Sequence, residues 1–256
     1  MPVKKQFNIL PVKSAEDVSY NVNDLPMVFP SFTVICGSSA SGKSNLVLNL
    51  LFHWGKTNNK YPSFWRRIYY IGSSCNVDKT LKPLRDIRDN EAMQDDIEII
   101  TIDEDLDKLD IILKEIENHL NSDDIREYDA ENKIHSICVF DDMGSYVRRG
   151  YNDQLAKLCS KYRHIGKFGL SCVFTSQTFR QTPTFLRKNA SYYIIFRTPN
   201  KKDKDAIIEE FSSSFGDDIF IKSFDTATNA KYNFLMIDMR SMRLFHGMNT
   251  LLYERE

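Results

Sequence analysis

One segment, residues 37–44, constrains the fold of this chain more than any other. Its sequence, GSSASGKS, fits the phosphate-binding loop pattern (Walker A), GxxxxGK followed by Ser or Thr, at every fixed position. In that pattern the backbone N–H groups of a glycine-rich loop surround the phosphates of a nucleotide. The predicted phosphate-binding residues are therefore those of the loop itself: Gly37, Ser38, Ser39, Ala40, Ser41, Gly42, Lys43 and Ser44.

The segments on both sides of the loop suit this role. Residues 32–36 (FTVIC) are mostly apolar or β-branched, as expected of a strand buried on both faces of a parallel sheet. Residues 46–54 place apolar side chains on one stripe of a helix, which we expect to end at Gly55. In such a unit Lys43 reaches the β- and γ-phosphates and the Ser44 hydroxyl ligates Mg²⁺. The alternative is a Gly/Ser-rich turn that carries Lys-Ser by chance.

The length and composition favour one ordinary domain. We expect a single α/β domain over residues 31–256, preceded by an irregular, proline-containing lead-in over residues 1–30 with a short strand at residues 7–10. No apolar run approaches the roughly 18 residues of a membrane span, and the first residues are too polar for a signal peptide. The five cysteines include no CxxC pair, which favours buried thiols in a reducing, intracellular compartment.

Other elements are predicted from hydrophobic periodicity. The predicted strands are residues 65–72, 97–102, 134–140, 170–176, 192–196, 232–239 and 242–245, the last two forming a hairpin. The predicted helices are residues 105–120, 152–162, 185–189 and 204–215. Residues 121–133 lack periodic apolar residues and are predicted to be an exposed loop. The fold class is α/β, a mostly parallel sheet flanked by helices and ending in a β-hairpin.

Polar residues follow two of these strands. The strand at residues 134–140 runs directly into Asp141 and Asp142, the Walker B pattern, in which the first carboxylate holds the Mg²⁺ shell. Asp142 would then polarise the attacking water. Gln177 ends the strand at residues 170–176, where an amide can orient water beside the γ-phosphate. The alternative for the two aspartates is a helix N-cap, where Asp is common.

The formal net charge of −1 hides an uneven charge distribution. Residues 86–131 hold eighteen acidic and four basic residues, whereas residues 148–204 hold thirteen basic and two acidic residues. The basic segment suggests an anionic partner. The candidate residues for contact with such a partner are Arg148, Arg149, Lys157, Lys161 and Lys167. The alternative is that these side chains cap helices or pair with the acidic block, residues 86–131, of a neighbouring subunit.

Three stretches together resemble a known family: GSSASGKS, ICVFDD, and residues 163–196, which begin RHIGKFGLSCVF. They look like the FtsK/HerA superfamily of DNA-pumping ATPases and, more narrowly, the genome-packaging ATPases of poxviruses, other large DNA viruses and virophages. The resemblance covers residues 32–245. It implies a RecA-like, ASCE-type phosphate-loop NTPase core, with an extra strand between the phosphate-loop strand and the acidic strand. It also implies ATP and Mg²⁺ as cofactors and a ring of subunits, commonly a hexamer, around double-stranded DNA.

The resemblance also implies roles for single residues. Lys43 and Ser44 would bind phosphate and Mg²⁺, Asp141 would organise the metal, Asp142 would be the general base and Gln177 the sensor. Arg163 matches the arginine that the superfamily carries ahead of this strand, and we expect it to reach the ATP of the next subunit. Its rivals are Arg180, Arg187 and Arg197. The sequence departs from the pattern at Asp142, where many relatives have Glu.

The leading hypothesis is an ATP-driven translocase of double-stranded DNA that packages a viral genome. It would act in the host cell cytoplasm or a viral factory, docked on a capsid or portal protein. Three alternatives remain open: a cellular HerA-like DNA pump, a nucleotide-gated assembly protein that barely hydrolyses ATP, and a nucleotide kinase.

Overall fold

A computed structural model describes residues 20–21, 25–53, 63–149 and 153–255. The predicted strand at residues 7–10 and the predicted helix end at Gly55 lie outside the described residues.

Short apolar runs form the strands, as their sequences predict. In chain order β1 to β11 are Tyr20–Asn21, Val28–Phe29, Phe32–Cys36, Trp65–Ile71, Glu98–Ile102, His135–Phe140, Leu170–Ser176, Tyr192–Phe196, Phe234–Asp238, Arg243–His246 and Thr250–Glu254. Strands β1 and β2 pair with each other, and the other nine form one sheet in the order β11-β10-β9-β8-β3-β7-β6-β4-β5. The strands from β8 to β5 in that order run parallel, and β9, β10 and β11 add antiparallel.

The helices lie in the connections between these strands. In chain order α1 to α9 are Lys43–Leu48, Lys82–Arg88, Leu109–Asn121, Asp123–Asn132, Gly144–Arg149, Asp153–Lys161, Thr184–Asn189, Lys201–Phe215 and Asp217–Ala227. A π-helical turn, Asn49–His53, continues α1.

Both faces of the sheet carry a hydrophobic core. Alternate residues of β3 point to opposite faces, so Val34 belongs to one core cluster and Ile35 to the other. Helices α3, α6, α8 and α9 cover the first face, and α1 and α2 cover the second. Burial on both faces explains why the central strands are almost continuously apolar. Met27 and Phe29, which the sequence analysis assigned to the lead-in, are also fully buried in the second cluster.

This topology confirms the predicted fold class and most of the predicted strands. The order β3-β7-β6 places one strand between the phosphate-loop strand and the acidic strand, as the family resemblance implied. The C-terminal hairpin is present as β9 and β10 and gains a third strand, β11, that the sequence analysis missed. Helices α2, α5 and α9 were also missed.

The prediction of a loop at residues 121–133 is wrong, because this segment contains α4. Most of α4 is exposed, so it has no apolar stripe for a periodicity search to find. Asp123 and Asp124 lie in its first turn, where negative charge stabilises a helix. Its anchor is polar: Asp129 is 2% exposed and its carboxylate lies 2.8 Å from Nη1 of Arg67.

Candidate nucleotide-binding and catalytic site

The phosphate loop lies at the carboxyl end of β3, where the chain turns directly into α1. Gly42 has φ +105°, a left-handed conformation that strains other residues. At Gly37 an added Cβ would lie 2.9 Å from Cβ of Phe196 and 2.5 Å from Oγ of Ser41, so only glycine fits. The Ser41 hydroxyl oxygen is buried without a hydrogen-bond partner. The structure therefore places the predicted loop between β3 and α1, with glycine favoured at Gly37 by close packing and at Gly42 by its positive φ.

Lys43 lies over this loop. Its Nζ donates hydrogen bonds to the carbonyl oxygens of Gly37, at 2.7 Å, and Ser38, at 3.2 Å. Burial lowers the pKa of Lys43 below its ordinary value, and the nearby carboxylates of Asp142 and Asp141 oppose this effect. The amine therefore faces the two acidic residues predicted from the sequence.

Asp141 is the more enclosed of these two acids. It is 8% exposed at the end of β6. The Tyr70 hydroxyl donates a hydrogen bond to Oδ2 at 2.9 Å, and the Thr175 hydroxyl donates one to Oδ1 at 2.7 Å. Burial raises the pKa of Asp141 above its usual 3.8, while the two hydrogen bonds and the positive charge of Lys43 lower it. Neither Tyr70 nor Thr175 was predicted as a site residue, because both lie on the strands that flank β6 and each is one of several polar residues on its strand.

Asp142 points towards the neighbouring strand end. Its backbone has φ +54°, the left-handed region that non-glycine residues rarely adopt. Its N–H donates to Oγ1 of Thr175 at 2.9 Å, and its Oδ2 accepts a hydrogen bond from Nε2 of Gln177 at 2.6 Å. Thr175 thus contacts both acids. The structure brings Asp141, Asp142 and Gln177 together, as the strand-end positions predicted.

These groups share one cleft of about 720 Å³. One end holds the phosphate loop, the two acids and Gln177. The lining also includes polar residues after β4 and aromatic residues in β8, in β9 and in the turn before β9. None of these was predicted as part of the site: Ser74, Asp78, Thr80, Phe196, Tyr232 and Phe234. A cleft of this size, with convergent polar groups at one end, suits a small-molecule ligand.

The family comparison bears on what this cleft binds. The sequence matches the family described as poxvirus A32 protein over residues 19–239. The chain belongs to the poxvirus A32 protein family. The match covers the phosphate loop, both acids and Gln177, so this A32-family chain is a nucleotide-binding ATPase. The resemblance to poxvirus packaging ATPases is confirmed.

Solved structures share the fold. B204, the DNA-packaging ATPase from Sulfolobus turreted icosahedral virus, has a TM-score of 0.57 at 15% identity, over 84% of this chain and 95% of B204. The packaging NTPase B204 from Sulfolobus turreted icosahedral virus 2 gives a TM-score of 0.54 at 15% identity in complex with AMPPCP, over 84% and 96% of the two chains. Its complex with ATP-gammaS gives 0.51 at 16% identity, over 84% and 95%. No individually curated protein matches the A32-family chain.

The oxygen groups beside Lys43 fit a magnesium ion. Ser44 and Asp141 offer only oxygen atoms, which Mg²⁺ prefers. Each carboxylate oxygen of Asp141 accepts one protein hydrogen bond and keeps a further lone pair. Among the described residues no cluster of three or more His, Cys, Asp or Glu could hold a metal. Mg²⁺ usually takes one or two protein ligands, with phosphates and waters completing its shell.

Arg163 lies far from this cleft in its own chain. It is exposed in a 3₁₀ turn, Tyr162–His164, and its Nε donates to the Tyr162 hydroxyl at 3.1 Å. A Cβ placed on Gly169 would lie 3.0 Å from the Arg163 carbonyl oxygen, so Arg163 sits at the amino end of β7. The seven residues of β7 separate it from Gln177 by roughly 20 Å. The rival Arg187 pairs with Glu210.

The candidate DNA contacts are placed unevenly. Lys157 and Lys167 are exposed, whereas Lys161 pairs with Glu117 on α3, part of the acidic block of the same chain. The backbone of Arg148 and Arg149 lies in α5, and their side chains lie outside the described part. Lys161 is therefore the weakest of the five candidates.

The helices within the described ranges include none that is long and apolar enough to cross a bilayer.

Proposed function

We propose that this A32-family ATPase uses ATP hydrolysis to move double-stranded DNA into a viral capsid, working as a ring with ATP between subunits. The observation that carries the proposal is the cleft in which the phosphate loop, an adjacent pair of carboxylates and a strand-end amide converge. That set is typical of ATPases that activate water, and a kinase acceptor site requires no such pair.

In this mechanism the loop and Lys43 hold the β- and γ-phosphates. Ser44 and Asp141 would hold Mg²⁺, which when bound neutralises charge on the β- and γ-phosphate oxygens. Tyr70 and Thr175 favour the ionised form of Asp141, against the effect of burial, and fix its two oxygens in place, because both donate hydrogen bonds to the carboxylate. These contacts orient the acid before nucleotide arrives.

Asp142 is the proposed general base. Its carboxylate takes the proton of the attacking water, and Gln177, 2.6 Å from Oδ2, holds the carboxylate in one orientation. Gln177 would also report the state of the γ-phosphate to β7, because its side chain ends that strand. We propose that the left-handed backbone at Asp142, with φ +54°, redirects the carboxylate and so offsets its shorter reach compared with Glu.

Arg163 is the proposed arginine finger and acts on the ATP of a neighbouring subunit. It cannot reach the nucleotide in its own cleft, because it lies at the amino end of β7 and the cleft lies at the carboxyl end of that strand. A planar guanidinium stays charged and can bind two phosphate oxygens of the transition state. An exposed position in a short turn leaves it accessible to a second copy of the chain.

The basic segment is the proposed DNA contact. The exposed Lys157 and Lys167, together with Arg148 and Arg149, would bind backbone phosphates without reading base sequence. The ring, commonly a hexamer, would surround duplex DNA and dock on a capsid or portal protein in the host cell cytoplasm or a viral factory. The five cysteines lie buried as free thiols, in keeping with a reducing compartment.

The test is steady-state ATP hydrolysis by the purified chain with and without duplex DNA. The expected result is slow turnover that duplex DNA stimulates, and loss of both rates in Lys43→Ala. ATP-dependent oligomerisation without turnover would instead identify a nucleotide-gated assembly protein. ATP consumption that requires a nucleoside acceptor would identify a kinase. Either of these two results overturns the proposal.

A further inference from the structure

The aromatic group in the cleft lies on the side away from the acids. Phe196 ends β8, Phe234 begins β9, and Tyr232 lies in the turn before β9. In the sheet order, β8 and β9 lie on one side of β3, whereas β7 and β6, which carry Gln177 and the acids, lie on the other. With neighbouring strands about 4.8 Å apart, β9 and β6 are roughly 19 Å apart across the phosphate loop.

Tyr232 is the exposed member of this group. The residue is 58% exposed, whereas Phe196 is 3% exposed and packs against Phe234 with ring centroids 5.3 Å apart and ring planes tilted by 56°. A Cβ placed on Gly42 would lie 3.4 Å from Cδ1 of Tyr232, so the tyrosine ring stands beside the phosphate loop. Nζ of Lys231 lies over one face of the ring, 4.8 Å from its centroid.

The backbone at Tyr232 is strained. Its φ is +69°, a conformation in which a bulky side chain is a genuine outlier. Asparagine or glycine would occupy this turn position at lower cost. Such strain persists where the surrounding structure imposes it, and it concentrates at ligand sites. A large, mostly exposed aromatic ring held in an unfavourable conformation at the mouth of a cleft gains little from folding alone.

We propose that Tyr232 is the stacking platform for the purine base of the nucleotide, with Phe196 and Phe234 forming the apolar wall beneath it. This inference rests on the proposed function, because it assigns the base end of the same cleft. The triphosphate then runs from the aromatic group across the loop towards Asp141 and Asp142. Stacking on the face of a ring is tolerant of base identity, because every base has a π-face.

The experiment compares Tyr232→Asn with Tyr232→Phe. Asparagine removes the ring and suits the left-handed backbone, so the variant should fold with an unchanged or higher melting temperature. Phenylalanine keeps the ring. The matched control is Tyr128→Ala, which removes another half-exposed tyrosine, 49% exposed on α4 and outside the cleft lining. Each protein is titrated calorimetrically with ATP and with inorganic tripolyphosphate, which lacks a base.

Tyr232→Asn should bind ATP about 10-fold more weakly while its tripolyphosphate affinity stays unchanged, because stacking involves only the base. Tyr232→Phe and Tyr128→Ala should match the wild-type protein for both ligands. Equal ATP affinity in the Asn variant and the wild type, or an equal loss for both ligands, overturns the base site. A wild-type protein that binds neither ligand instead overturns the proposed function.

Discussion

Replacing Thr175 by valine should make the stability of this protein unusually dependent on pH. The threonine hydroxyl donates to Oδ1 of Asp141 at 2.7 Å and accepts the N–H of Asp142 at 2.9 Å. Thr175 is fully buried, and Asp141 is 8% exposed. Valine has nearly the same shape, so the change removes both hydrogen bonds without opening a cavity.

The loss in the free energy of unfolding depends on which groups lose a hydrogen-bond partner in Thr175→Val. A hydrogen bond to a charged group contributes about 1.5–3 kcal/mol, against about 0.5–1.5 kcal/mol for one between neutral groups. An N–H without an acceptor adds a further cost of about 1–3 kcal/mol, less where water reaches it. At neutral pH the expected loss in the free energy of unfolding is therefore about 3 kcal/mol.

The part of this stability loss that depends on the negative charge of Asp141 should disappear in acid. Burial raises the pKa of Asp141 above 3.8, so the folded state binds the proton more readily than the unfolded state. Ionisation of Asp141 therefore reduces stability as pH rises from 3.8 through the raised pKa, and the Thr175 hydrogen bond offsets part of that reduction. Below 3.8 the carboxyl is neutral in both states, and the difference between Thr175→Val and wild type should shrink by about 1 kcal/mol.

Urea unfolding of the wild type, Thr175→Val and Thr175→Ser, measured from neutral pH to below 3.8, tests this prediction. Serine keeps the hydroxyl and should follow the wild type at every pH. A loss in Thr175→Val that is the same at neutral and acidic pH would show that Asp141 does not depend on this hydroxyl. Equal losses in the serine and valine variants would attribute the effect to packing.

Asp142→Asn should keep ATP binding but lose about 10²–10⁴-fold in turnover, because the amide cannot accept a proton; Asp141→Asn should instead weaken Mg²⁺-dependent binding, and identical defects in both assays would refute this division of roles. Arg163→Ala should lower turnover by about 10³-fold with ATP affinity nearly unchanged, as measured by steady-state kinetics and calorimetry. Mixing Arg163→Ala with Lys43→Ala subunits should restore some turnover, and mixed rings without recovery would exclude action in trans. Lys157→Glu should weaken duplex binding and reduce the slope of log affinity against log salt by about one, with no dependence on base sequence; an unchanged slope would remove this residue from the interface.

The sequence predicted those parts of the fold and site that depend on neighbouring residues. The phosphate loop is contiguous, and its conformation follows from its own glycines. The buried parallel strands are apolar runs because helices cover both faces. Asp141, Asp142 and Gln177 could be placed together because parallel strands end at the same edge of the sheet.

Parts that depend on distant contacts could not be predicted in this way. Tyr70 and Thr175 lie on strands that flank β6, and only the sheet order shows that both reach Asp141. Tyr232 meets the phosphate loop from almost two hundred residues further along the chain. Helix α4 was missed for a related reason, since the side chain that anchors it, Asp129, pairs with Arg67 on β4.

We propose that ATP turnover in this cleft moves duplex DNA. Displacement of a labelled third strand from a triplex on linear duplex DNA tests it most directly, because a protein that advances along the duplex strips the third strand away. The wild-type protein should release the third strand with ATP, and Lys43→Ala should not release it. A wild-type protein that hydrolyses ATP faster in the presence of DNA, yet leaves the triplex intact, would contradict the claim of translocation.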